Sequence, residues 1–126
     1  MNNGKTKIGI NGFGRIGRLV LRAANEEFYP NLEVVAINSF ADAEDNAHMF
    51  KYDSTYGVYK GDVSSSGNSM YIDGHPIVCL SSQEPSNIPW DEYKVDIVLE
   101  CTGKFTNVKK ASEHLSSGAS KVIISA

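Results

Sequence analysis

The sequence predicts an α/β fold: a doubly wound parallel sheet with a small antiparallel hairpin at its edge. Three observations predict it. Short apolar runs at residues 7–11, 32–38, 95–100 and 122–124 alternate with stretches of helical periodicity. The first run passes directly into Gly12-Phe13-Gly14-Arg15-Ile16-Gly17, a Gly-x-Gly-x-x-Gly turn that opens an amphipathic helix. Finally, Asp73-Gly74 stands between two strand-like runs, a strong hairpin signal.

Each glycine of the turn has its own physical task. Gly12 lets the chain leave the strand tightly. Gly14 has no Cβ, so a pyrophosphate can lie against the backbone. Gly17 lets the helix pack closely on its strand. The first N–H groups of the helix, near Arg15 and Ile16, then face the phosphates with the helix dipole behind them. The helix should run over 14–27, with Ile16, Leu19, Val20, Ala23 and Ala24 on its inner face. Arg15 lies in the phosphate turn, placed to meet the charge of a cofactor, whereas Arg18 and Arg22 read as a solvated face. Tyr29-Pro30-Asn31 breaks the chain before the buried strand 32–38. Strand, turn, helix and strand make one βαβ unit, whose crossover should be right-handed.

Residues 43–50 predict a short helix with Ala47 and Phe50 turned inward, and residues 51–57 a polar, aromatic loop. Residues 64–68, Ser-Ser-Ser-Gly-Asn, read as a turn, and 69–72 and 76–80 as the arms of the hairpin around Asp73-Gly74, with His75 solvated. Trp90 ends a proline-punctuated loop as a packing anchor. The strand 95–100 ends in Cys101-Thr102-Gly103. A helix over 107–116 should follow, capped by Thr106, closed by Gly118, and turning Val108, Ala111 and Leu115 inward. The strand 122–124 reads as buried and closes on Ser125-Ala126.

Composition narrows the function. A chain of 126 residues suits one domain spanning 1–126, and the net charge of -3 argues against a general nucleic-acid binder. No apolar run approaches the roughly 20 residues of a membrane span, and the N-terminal residues 1–7 are polar with no signal core behind them. The two cysteines, Cys79 and Cys101, form neither a disulfide framework nor a zinc spacing, as in a reduced, cytoplasmic protein. No metal site is expected.

In an open α/β sheet the ligand lies beyond the carboxyl ends of the strands. Those ends are here Asn11-Gly12, Asn38-Ser39, Cys101-Thr102-Gly103 and Ser125-Ala126, all small or polar. A Rossmann-like dinucleotide fold normally carries an acid at the end of its second strand to grip the ribose hydroxyls. This chain has Asn38-Ser39 there, with Asp42 the nearest acid. A serine does not repel the 2′-phosphate of NADP as a carboxylate does, yet Asp42, Glu44 and Asp45 follow and no adjacent base balances a second phosphate. The expectation is a site that takes both nucleotides, with NAD favoured.

The motifs Ile10-Asn11-Gly12-Phe13-Gly14-Arg15-Ile16-Gly17-Arg18, Lys51-Tyr52-Asp53-Ser54, Glu100-Cys101-Thr102-Gly103-Lys104-Phe105-Thr106 and Val122-Ile123-Ile124-Ser125-Ala126 stand in the order of one family. From about Lys7 onward the chain resembles glyceraldehyde-3-phosphate dehydrogenase. The resemblance implies a homotetrameric, cytoplasmic, NAD(P)-dependent enzyme of glycolysis that oxidises and phosphorylates an aldehyde through a cysteine thioester. It implies that Gly12, Arg15 and Ile16 cradle the pyrophosphate, that Asn38 and Ser39 face the adenosine ribose, that Thr102 and Gly103 flank the adenine, and that Asn11 and Ser125 lie toward the nicotinamide. Three positions depart from the family pattern: Ser39, where most members carry an acid; Tyr56, where a histidine is usual; and Gln83, near a commonly basic position. The family's nucleophilic cysteine and base histidine belong to the segment beyond Ala126, so the expectation is a cofactor-binding portion without the catalytic domain. No catalytic residue is assigned here. Such a portion should bind nucleotide, turn over nothing and tend to self-associate. An erythrose-4-phosphate dehydrogenase of the same family, or a stand-alone nucleotide-binding or redox-sensing module, are the alternative readings.

Overall fold

The fold is described from a computed structural model, over residues 5–25, 31–53, 57–103 and 108–125. The leader before Lys5, the end of the first helix at Glu27, the break at Tyr29-Pro30, Tyr56, the Lys104-Phe105-Thr106 motif with its cap, and Ala126 lie outside the described residues.

Strand β1 (Thr6–Asn11) leads through the glycine turn into α1 (Arg15–Asn25), and the chain returns along β2 (Leu32–Asn38). The helix α2 (Ala43–Lys51) follows, with the Asp42 carboxylate accepting from the Asp45 amide as its N-cap. A two-stranded ribbon, β3 (Tyr52–Asp53) and β4 (Gly57–Val58), precedes β5 (Val63–Ser66), β6 (Ser69–Ile72) and β7 (His75–Leu80). Two short 3₁₀ turns, Pro85–Asn87 and Trp90–Tyr93, lead to β8 (Ile97–Glu100), the short helices α3 (Val108–Ala111) and α4 (Glu113–Ser116), and β9 (Lys121–Ile124).

The main sheet has seven strands in the order β5-β6-β7-β2-β1-β8-β9. The pairs β1–β2, β1–β8, β2–β7 and β8–β9 are parallel; β5–β6 and β6–β7 are antiparallel. The predicted hairpin therefore joins the parallel sheet through its second arm. Asp73 and Gly74 both take positive φ, as the turn requires. Residues 64–66, read as part of a turn, are strand instead. The turn is Gly67-Asn68 alone, because backbone pairing with β6 decides the matter whatever the serine side chains prefer.

Strand alternation divides the core. Ile8, Ile10, Val34 and Ile37 pack with Leu21 of α1 and Phe50 of α2 on one side. Ala36 and Val98 pack with Ile88, Val95 and Trp90 on the other. Trp90 is fully buried and lies on Gly9, whose missing Cβ leaves room for the indole. The Trp90 reading is thus upheld, as is the inward placement of Ala47 and Phe50.

Four further expectations are corrected. The inner stripe of α1 is Gly17, Val20, Leu21 and Ala24, while Ile16 is 44 % exposed and Leu19 also faces out. The stripe centres on Gly17, which must face the strand and which a count of apolar side chains overlooks. Arg18 and Arg22 are not a solvated face. Arg22 is only 8 % exposed; its Nη2 donates to the Gly57 carbonyl at 2.8 Å and its guanidinium lies 5.7 Å from the centre of the Tyr59 ring. Arg18 Nε lies 3.3 Å from Asp53 Oδ2, and its Nη1 donates to the Phe13 carbonyl at 3.0 Å. The β3–β4 ribbon covers this side of α1, so the two cations find an acid, carbonyls and a ring where water was expected.

The last helical segment is interrupted at Ser112, whose hydroxyl donates back to the Val108 carbonyl. Its inward residues are Ala111 and His114. Val108 is 73 % exposed and Leu115 is exposed too. Strand β9 is an edge, with Ile123 and Ile124 exposed rather than buried. Among the described residues no further strand pairs with it.

Candidate functional site

A crevice of about 390 Å³ opens at the carboxyl ends of β1, β2 and β8. Asn11, Gly12, Phe13 and Gly14 line it from the turn, Asn38, Ser39 and Phe40 from the end of β2, and Cys101 and Thr102 from the end of β8. Ser82, Gln83 and Glu84 close a fourth side.

The turn carries the geometry that three separate glycines need. Gly12 has φ +96°, and a Cβ on it would sit 2.8 Å from the Thr102 amide nitrogen and methyl group. Gly12 is therefore required both by the turn and by the approach of the loop after β8. A Cβ on Gly17 would run into the Gly12 carbonyl oxygen, so this glycine is what seats α1 on the turn. At Gly14 a Cβ would meet no atom within 4 Å, and the residue lines the crevice. The backbone at Gly14 is thus open to the crevice, with room for a group to lie against it. The Arg18 amide donates to the Gly14 carbonyl at 2.9 Å, which closes the first helical turn. The N–H groups ahead of Arg18 have no intrahelical acceptor and are available to an anion.

Beneath the crevice runs a buried chain of hydrogen bonds. Glu100, 1 % exposed, accepts from Asn11 Nδ2 at 2.7 Å through Oε1, and from the Thr102 amide at 3.0 Å and hydroxyl at 2.6 Å through Oε2. His114 Nε2 lies 2.7 Å from the same Oε1. The indole of Trp90 can only donate, and it meets His114 Nδ1 at 3.0 Å; Nε2 therefore carries the proton that bridges to Glu100. Burial pushes the Glu100 carboxyl up, but hydrogen bonds from His114, Thr102 and Asn11 outweigh it and hold the group below its ordinary range. On the far side, Asn38 Nδ2 donates to Asn11 Oδ1 at 2.8 Å and to the Ser82 carbonyl at 2.9 Å, and Asn38 Oδ1 accepts from the Ser82 amide at 2.8 Å.

Six of the ten residues read from the sequence as a site, Asn11, Gly12, Gly14, Asn38, Ser39 and Thr102, meet in this one crevice. Arg15 and Ile16 follow in the first turn of α1, exposed. Gly103 is exposed beyond Thr102, and Ser125 stands just past β9 with its amide donating to the Glu100 carbonyl at 2.9 Å. Asn11 and Asn38 are buried, and their side chains brace neighbouring strands. The Ser39 hydroxyl donates to Asn46 Oδ1 at 3.1 Å, which leaves its oxygen as an acceptor. Asp42 is an exposed cap, as expected of a turn acid.

Sequence reasoning missed Phe40, Ser82 and Glu84 in the lining and the role of Glu100. Phe40 offered a signal, as a large apolar residue in a polar turn. Glu100 offered another, as an acid closing an apolar strand. Ser82 offered none, since its contribution is backbone.

The family model for the glyceraldehyde 3-phosphate dehydrogenase NAD-binding domain matches residues 6–108. The chain belongs to that family. It is 52 % identical over 120 residues to glyceraldehyde-3-phosphate dehydrogenase of Zymomonas mobilis subsp. mobilis, covering 95 % of this chain and 36 % of that protein. Identity to the Geobacillus stearothermophilus enzyme of the same name is 50 % over 120 residues, covering 95 % of this chain and 35 % of that protein. A chloroplastic glyceraldehyde-3-phosphate dehydrogenase of Arabidopsis thaliana is 52 % identical over 127 residues, covering 99 % of this chain and 30 % of that protein. The chain thus spans about a third of the length of the curated relatives it matches. As an NAD-binding domain of the glyceraldehyde-3-phosphate dehydrogenase family, it has NAD as its cofactor. Among the described residues no helix is long and apolar enough to cross a membrane.

Proposed function

We propose that these residues are the cofactor-holding part of a phosphorylating glyceraldehyde-3-phosphate dehydrogenase, in which bound NAD accepts a hydride from the aldehyde carbon. The observation that carries this reading is the open backbone at Gly14, set between the start of α1 and the crevice. The N–H groups of the turn hold the pyrophosphate, Gly12 and Gly17 keep the turn in place, and Thr102 and Ser39 flank the adenosine half. Asn11, braced against Glu100, supports the wall toward the nicotinamide. Both cysteines are free of disulfides, which suits a reducing compartment, and we place the protein in the cytoplasm.

The chain by itself is read as a binder without turnover. A cysteine nucleophile acts as thiolate. Burial and the neighbouring Glu100 charge push the Cys101 thiol up to about 11, and burial raises Cys79 as well. His114 is fully buried between Glu100 and Trp90, out of reach of a substrate. These groups do not make a nucleophile and base.

Ser39 bears on the choice of nucleotide. Its proton is engaged by Asn46, so its oxygen favours a ribose hydroxyl, which donates, over a phosphate, which accepts. Glu44 and Asp45, exposed in the first turn of α2, oppose a second phosphate. Calorimetry on the chain is expected to show NAD binding roughly three- to tenfold tighter than NADP, the worth of one modest hydrogen bond. No NADH should form with glyceraldehyde 3-phosphate and phosphate present. An advantage of more than about a hundredfold for either nucleotide would defeat dual use. Binding of neither would defeat the site, and turnover would defeat the binder reading.

A further inference from the structure

The chain of hydrogen bonds under the crevice has one direction. Trp90 donates to His114, and His114 donates to Glu100. From the other side, Ser82 donates to Asn38, Asn38 to Asn11, and Asn11 to Glu100. Both halves therefore end on the same carboxylate, which also accepts twice from Thr102. Hydrogen bonds that point the same way polarise one another, and a charge at their meeting point strengthens each. Every polar atom of the Glu100 side chain is engaged and the group is 1 % exposed.

The location gives this arrangement a consequence for binding. Asn11 ends β1 immediately before the glycine turn, and Thr102 lies in the loop after β8. The two flank a close approach between the turn and this loop, where the Thr102 amide and methyl lie 2.8 Å from the position a Gly12 Cβ would take. No other described side chain bonds to both. We propose that Glu100 is a positioning residue for the dinucleotide: by holding Thr102 and Asn11 at once, it sets the gap between the glycine turn and the loop after β8. It touches no cofactor itself. This inference rests on the reading of the crevice as the NAD site.

Glu100→Gln is the direct test. Glutamine keeps the size and one acceptor oxygen, and presents an NH₂ where the second oxygen was. If the oxygen stays with His114 and Asn11, the Thr102 amide loses its acceptor and faces a donor. Thr102→Val removes the hydroxyl that meets Glu100 Oε2 and keeps the amide bond, and it serves where Glu100→Gln does not fold. Thr102→Ser returns the hydroxyl. Trp90, the only tryptophan of the sequence, reports on the inner end of the chain through its emission.

The affinity of the full chain for NAD is expected to fall about tenfold in Glu100→Gln and in Thr102→Val, the equivalent of about one charge-assisted hydrogen bond. Thr102→Ser should recover most of it, and the emission of Trp90 in Thr102→Val should match that of the parent chain. NAD affinity unchanged in both folded variants would overturn the positioning role while leaving the NAD site standing. Affinity lost only together with the Trp90 signal and folding stability would overturn it as well, since the residue would then act on the fold alone. If the parent chain itself fails to bind NAD, both this inference and the site it rests on fall.

Discussion

Trp90→Ala is expected to destabilise the fold by about 3–5 kcal/mol, a large part of the roughly 5–15 kcal/mol that holds a domain of this size together. Two losses combine. The indole is fully buried, and its ring fills the space that Gly9 leaves on the sheet, so truncation opens a cavity beneath β1 and β8. The same change removes the N–H that meets His114 Nδ1 at 3.0 Å, stranding an acceptor in the interior. Trp90→Phe separates the two, because it keeps a ring and drops the donor. It should cost about 1–3 kcal/mol. Urea unfolding followed by far-ultraviolet circular dichroism measures both. A cost below about 1 kcal/mol for the alanine variant would show that the second core is not organised around the indole.

Gly14→Leu is expected to leave stability within about 0.5 kcal/mol of the parent chain and to weaken NAD more than about a hundredfold. The side chain meets no protein atom near its Cβ and grows into the crevice, where the pyrophosphate would lie. Its φ is not among the positive ones, so a side chain brings no backbone strain. Gly17→Ala is the contrasting variant. Its Cβ would collide with the Gly12 carbonyl oxygen, so stability and binding should fall together, by about 1–3 kcal/mol in the first. Equal losses of stability in the two variants would mean that Gly14, too, serves the fold. Binding retained by a folded Gly14→Leu would mean that the phosphates lie elsewhere.

The parts of this fold that were legible in the sequence are those where one residue type answers one local demand. The three glycines, the Asp73-Gly74 hairpin and the second strand are of this kind, and each stands where it was read. The glycine turn also located the crevice, because the ends of parallel strands in such a sheet converge on it. What was not legible depends on neighbours distant in the chain. Arg22 looked solvated because nothing near it in sequence announces that Gly57 and Tyr59 will cover it. The inner face of α1 was misjudged by the same blindness, since Gly17 contributes closeness rather than apolar surface. Ile123 and Ile124 read as core, yet β9 is an edge of the sheet, and a strand's place in the order is not written in its own residues. The site itself divides likewise. Asn11 and Asn38 were legible as crevice residues from their position at strand ends, and both line it; that their side chains also brace the strands through Glu100 and Ser82, eighty-nine and forty-four residues away, was not.

In the proposed function the backbone amides at the glycine turn hold the dinucleotide's pyrophosphate. Titration of the ¹⁵N-labelled chain with NAD, followed residue by residue through the amide resonances, tests it most directly. The largest shifts are expected at Phe13, Gly14, Arg15 and Ile16, with smaller ones at Ser39 and Thr102. Saturable shifts that leave the turn untouched and gather instead along α3, α4 and β9 would contradict it.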